Sequence, residues 1–172
     1  MGRWSWSNRK TVEECKSIST KFLNEHHYFD GGVRWGGMNW SRGGEKTGSI
    51  SFIVSTVDGD EYIRFQYTQT DKYTNEKSEL DYRVRLAWTP CYFGGRRWWF
   101  ICPLVVNGQL CESRVGVLYL GGNKYFGCRK CYNLTYESSK ESHKFDRLFM
   151  DIASGISGST TSMVKKILMK RL

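Results

Sequence analysis

Four of the six cysteines in this 172-residue chain fall within one stretch of thirty residues, paired as Cys102 with Cys111 and Cys128 with Cys131. Thiolates are soft anionic ligands, and two pairs held at two turns make a tetrahedral site for zinc, or less often for iron. Gly127-Cys128-Arg129-Lys130-Cys131 is the sharper half. Two residues between the cysteines are what a tight knuckle needs to aim both sulfurs at one metal. Cys102-Pro103 opens like a second knuckle, but eight residues precede Cys111, so the Asn107-Gly108 segment must loop out. Cys91, eleven positions before Cys102, is the alternative to Cys111. The place of Cys111 directly after Asn107-Gly108-Gln109-Leu110, where a looped tip returns, favours Cys111. Two disulfides or buried free thiols compete with the metal reading. They suit a secreted chain, whereas residues 1–10 are polar and basic rather than an apolar export segment.

A catalytic zinc keeps an open coordination position, usually with histidine among its ligands and a glutamate beside it. Four cysteines close the shell. The histidines are His26, His27 and His143, in no H-E-x-x-H or H-x-E arrangement, and Gly43-Gly44-Glu45-Lys46-Thr47 lacks the glycine spacing of a phosphate loop. The expectation is structural Zn2+ and no enzyme.

The net charge of +9, with aromatic residues at 15% and seven tryptophans, points to a polyanion with faces to stack on. Cationic surface attracts phosphate whatever the sequence, and exposed aromatics stack on bases. The expected partner is nucleic acid, DNA or RNA, or a protein complex that processes it. No apolar run approaches the ~18 residues of a membrane span, so a cytoplasmic protein is expected.

The elements that must position these groups follow from periodicity. Thr11-Val12-Glu13-Glu14 reads as a capping box, and Val12, Cys15, Ile18, Phe22 and Leu23 recur at helical spacing, so a helix is expected over 12–26 with Cys15 on its buried stripe. The glycine pairs between 29 and 48 interleave with Arg34, Trp35, Trp40, Arg42 and Lys46, as turns or as a nucleic-acid loop. From Ser49 the period is two. Ile50, Phe52 and Val54 lead to Asp58-Gly59, and 62–68 returns as a hairpin. Leu80, Tyr82, Val84, Leu86 and Trp88 form one face of a long strand, with Arg83 and Arg85 on the other. Strands at 98–101 and 114–120 and the return at Tyr125-Phe126 feed the cysteines, in the order of a zinc ribbon. A helix is expected over 134–152, a linker over 154–162 and a basic amphipathic helix over 163–172.

The run from Trp88 to Ser138, with Trp-Thr-Pro-Cys-Tyr-Phe-Gly-Gly-Arg-Arg-Trp-Trp-Phe-Ile-Cys-Pro at 88–103 and Tyr-Phe-Gly-Cys-Arg-Lys-Cys-Tyr-Asn-Leu-Thr-Tyr at 125–136, resembles an uncharacterised family of small bacterial and mobile-element proteins. The segments 7–15 and 40–44 share the likeness. The resemblance implies a zinc ribbon and a bacterial or phage setting, and brings no established activity. Some relatives carry a compact C-P-x-C first knuckle; the loop to Cys111 is a departure from it.

The sequence thus predicts an α+β fold: a mainly antiparallel sheet with an N-terminal helix, an inserted zinc ribbon and C-terminal helices. The expected parts are a body at 1–101, the ribbon at 102–136 and a helical segment with basic tail at 137–172. The expected function is a non-enzymatic nucleic-acid-binding accessory or regulatory protein. Arg96, Arg97, Trp98, Arg129 and Lys130 would face the partner at one end, with Arg34, Arg42 and Lys46 as a second patch. The other reading is a protein-interaction factor, such as a phage adaptor or an inhibitor of a host nucleic-acid machine.

Overall fold

The computed structural model describes residues 9–70, 75–122 and 124–141. Two short elements come first, β1 (Lys16–Ser19) and α1 (Thr20–Glu25). Period-two alternation then produces β2 (Val33–Arg42), β3 (Glu45–Val57), β4 (Asp60–Thr70), β5 (Lys77–Pro90) and β6 (Arg96–Ile101). The chain continues through β7 (Val105–Val106), β8 (Gln109–Leu110), β9 (Arg114–Val115) and β10 (Val117–Leu120), and α2 (Glu137–Glu141) closes the described residues.

β2, β3, β4, β5, β6 and β9 lie side by side in that order, every neighbour antiparallel, in a sheet that curls like half a barrel. Sequential strands pair because short turns cannot carry the chain elsewhere. The inner face gathers Phe52 and Val54 of β3, Ile63 and Phe65 of β4, Val84 and Leu86 of β5, and Trp98 and Phe100 of β6. A second layer covers them. β1 pairs with β10, placing Ile18 opposite Leu118, and Leu23, Phe29 and Phe126 join the same core. Each such side chain removed from water stabilises the fold by about 1.5–3 kcal/mol. The Trp40 indole N–H donates to the Ser17 carbonyl at 3.1 Å and Lys16 Nζ donates to the Thr47 carbonyl at 2.7 Å, pinning β1 across the open end of the sheet.

The α+β expectation is overturned, because strands dominate and the described helices span only six and five residues. The helix expected over 12–26 does not form as one element: 12–15 are turn, 16–19 strand, and 20–25 alone are helical. Its capping signal is real, since Glu14 accepts from the Thr11 amide at 3.0 Å, but one turn later the chain becomes β1. Ser19 then caps a second start by accepting from the Phe22 amide at 3.1 Å. An isolated helix of this length is marginal in water, so four strand pairings to β10 outweigh it. Of the C-terminal helix expected over 134–152, residues 134–141 are described, 134–136 are not helical and α2 begins at Glu137; the rest of it, with the linker and basic tail at 154–172, lies outside the described residues. The chain divides into two compact units after Leu134, the sheet and all six cysteines being in the first.

Candidate metal centre

Strand β6 delivers Cys102 and β10 leads on toward Cys128. The Cys102 amide donates to the Ser113 carbonyl at 3.0 Å, and Gly127 exchanges two hydrogen bonds with Tyr119 at 2.8 and 2.9 Å, so both knuckles hang from sheet edges. The loop to Cys111 is a miniature hairpin. β7 pairs with β8 around Asn107-Gly108, whose φ angles of 51° and 78° are those of a tight two-residue turn. The Cys111 amide then donates to the Leu104 carbonyl at 2.9 Å and brings the fourth sulfur back.

The sulfurs of Cys102, Cys111, Cys128 and Cys131 all lie within 4.8 Å of one another. Three of the separations are 3.8, 3.8 and 3.4 Å. Four sulfurs about 2.3 Å from a tetrahedral ion would stand about 3.8 Å apart. No disulfide joins any of the six cysteines in this structure, and the separations in the cluster are those of sulfurs around an ion rather than of an S–S bond. Cys91 sits exposed at the far end of β6 and takes no part; Cys15 is half-buried and donates to the Thr11 carbonyl.

The cluster strains against its own charge. Burial pushes the Cys102 thiol up to about 11, and burial with the hydrogen-bonded Cys111 and Cys128 raises Cys131 as well. Burial acts upward on Cys111 too, but its hydrogen bonds with the Ser113 side chain and backbone, and with Cys131 and Cys128, bring it down to about 6. One thiolate is favoured and its neighbours are not. A cation removes that conflict. Backbone amides assist it: the Cys128 amide donates to Cys102 Sγ at 3.3 Å and the Cys131 amide to Cys128 Sγ at 3.4 Å.

Comparison with known proteins finds no matching family model, curated protein or solved structure. The chemistry of the surface therefore carries the functional reading.

The basic residues expected at two patches are dispersed. Arg34 begins β2, while Arg42 and Lys46 flank its far turn, roughly 26 Å along the strand. Arg96 and Arg97 lie beyond four further residues of β6 from the metal end, where Arg129 and Lys130 are exposed on the knuckle. Trp98 is 6% exposed and stacks on Phe29 at 5.0 Å, so it belongs to the core and not to a partner face.

What the register does assemble is the outer face of the sheet. Tyr62 and Arg64 of β4, Arg83 and Arg85 of β5, Arg97 and Trp99 of β6 and Arg114 of β9 alternate with the core residues and share that face. Arg64 grips Asp81 with two nitrogens, its guanidinium holding that carboxyl below the usual carboxylate range, and Arg85 pairs with Glu112. Arg83 lies 4.3 Å over the Tyr62 ring and Arg97 4.3 Å over Trp99. The sequence signal for these residues was the polar half of the alternation. It exposed Arg83 and Arg85, but which strand lies beside them is set by pairing.

Among the described residues, no helix is long and apolar enough to cross a membrane.

Proposed function

We propose that this protein binds nucleic acid through the outer face of its sheet, without catalysing a reaction, and that a structural zinc ion on Cys102, Cys111, Cys128 and Cys131 fixes one edge of that sheet. The carrying observation is the pair of arginine-on-aromatic stacks, Arg83 on Tyr62 and Arg97 on Trp99. Neither guanidinium has an ion-pair partner among the described residues. An aromatic ring beneath a guanidinium fixes its plane while leaving the N–H fork directed outward, which is the geometry for bidentate phosphate binding. The closed four-sulfur shell, with sulfur spacings near those of a tetrahedral ion, supports a zinc ion there, and elemental analysis separates it from iron, which takes the same shell. It does no chemistry there; it holds β6, β9 and the knuckles in register.

Binding measured against salt tests this reading. Wild-type protein should bind DNA or RNA at low salt with affinity falling steeply as salt rises, and the Arg83→Ala/Arg97→Ala variant should lower the log–log slope by about two. No binding to either polymer at low salt would sink it.

A protein partner is the second reading, and the β7–β8 hairpin favours it: Val105, Val106 and Leu110 are 59%, 41% and 62% exposed. A single stoichiometric partner recovered after nuclease treatment by wild type, but not by Leu110→Glu, would support it over the first.

A further inference from the structure

The β5–β6 hairpin ends in a feature that the sheet face does not use. Tyr92 and Phe93 are 96% and 97% exposed, the highest values among the large apolar and aromatic side chains described. They occupy the two corner positions of a closed turn. The Gly94 amide donates to the Cys91 carbonyl at 3.0 Å and the Cys91 amide to the Gly95 carbonyl at 3.1 Å. Gly94 and Gly95 have φ of +86° and +87°, the left-handed conformation that folds the tip back into β6. The two rings meet edge to face at 5.1 Å and 89°. An aromatic pair is thus presented on an ordered, hydrogen-bonded tip, with little conformational freedom left to lose on binding.

The stem below is cationic on both sides. Arg96 lies 4.4 Å over Trp88 on the inner side and Arg97 4.3 Å over Trp99 on the outer side. Arg96 also reaches Asp58 at 3.4 Å, an exposed pair weak enough to be exchanged for a phosphate. An apolar point between two flanking cations matches a base step between two phosphate strands. Apolar side chains driven into such a step unstack it and kink the duplex, while neighbouring cations hold the backbones.

We propose that the Tyr92–Phe93 tip is a wedge that enters a base step of double-stranded DNA, with Arg96 and Arg97 on the flanking phosphates. This rests on the nucleic-acid reading above and adds to it a substrate class and a deformation. The test uses the full chain, a DNA duplex of about 25 base pairs carrying end-to-end energy-transfer labels, and a second duplex with 2-aminopurine as a stacking reporter. Wild type should bind, shorten the end-to-end distance and raise 2-aminopurine fluorescence. Tyr92→Ser/Phe93→Ser, whose melting curve should match wild type, should bind about tenfold more weakly and give neither signal at saturation. Arg83→Ala, which touches the sheet face alone, should need more protein but still kink the DNA it saturates. Binding by wild type without kinking or unstacking overturns the wedge and leaves the nucleic-acid reading standing, as does kinking that survives loss of both rings. Absence of binding at low salt removes both. Tip-dependent binding to phosphatidylserine vesicles, with DNA binding unchanged by the tip variant, would assign the rings to a lipid surface and overturn the proposal.

Discussion

The two ends of strand β6 are finished in opposite ways. At one end Cys102, 1% exposed, meets three other sulfurs and the chain is gathered inward around them. At the other, eleven residues earlier, Cys91 is exposed and the chain turns back on two backbone hydrogen bonds, with Tyr92 and Phe93 in solvent. Residue type does not separate the two cysteines; what surrounds them does. The inward end lacks regular strand pairing of any length, with β7, β8 and β9 only two residues each, and on the proposed reading ligand bonds to a metal take the place of the ladder. The outward end belongs to a hairpin whose stem has five register pairs, and it needs no metal.

Breaking the metal end should have the largest effect. A metal present at a thousandfold over its Kd stabilises by about 4 kcal/mol, which at this chain length is about 8–16 °C in Tm. Chelation, or Cys128→Ser, should give that drop together with loss of zinc in elemental analysis, and an unchanged melt would contradict a metal-held ribbon. Acidification should act in the same direction, since protons compete with the ion for the thiolates.

Alkali should attack the same end by another route. Burial above all pushes the Tyr67 hydroxyl from 10.0 up to about 12, and burial likewise carries Tyr82, which accepts the Phe126 amide at 2.8 Å, further in that direction. The fold therefore favours the neutral phenols. Their contribution is fully present below pH 10 and is lost as pH rises through about 12. Tyrosinate absorbance and far-ultraviolet circular dichroism should change together there; tyrosinate forming wholly near pH 10 with the fold intact would contradict it.

Glycine substitutions sharpen the contrast. A Cβ at Gly127 would stand 2.1 Å from Leu104 Cδ1 and 3.0 Å from Tyr132 Cε2, so Gly127→Ala should cost about 1–3 kcal/mol through crowding beside the four cysteines. Gly94→Ala meets no atom within 4 Å and should cost about 1 kcal/mol through its backbone angle alone, with Gly94→Asn recovering part of it. Denaturant midpoints distinguish the two. Tyr92→Ser should change stability by no more than about 0.5 kcal/mol, because its ring touches little but Phe93; a larger loss would mean the tip is structural.

The parts legible in the sequence were those set by local chemistry. The hairpin around Asp58-Gly59, the alternating face of β5 and the Cys128–Cys131 knuckle each follow from residues close together in the chain. The turn at Asn107-Gly108 was legible as a loop, and its tight geometry explains how Cys111 reaches the site across eight residues. The helix over 12–26 failed because its apolar spacing fits a helix, while Ile18 is claimed by a strand about a hundred residues away, opposite Leu118. Trp98 failed for a related reason: an aromatic beside two arginines looks like a binding residue until Phe29 is seen stacked on it.

By itself, then, the sequence determined which residues alternate, where the chain turns, and that four sulfurs were available to one ion, because these depend on neighbours a few positions apart. Tertiary structure alone decided that the sheet takes six strands in one antiparallel run, that Trp98 turns into the core, and that Arg83 and Arg97 come to rest on Tyr62 and Trp99. Those outcomes depend on strand register, and register is fixed only when one whole face of the sheet finds its core.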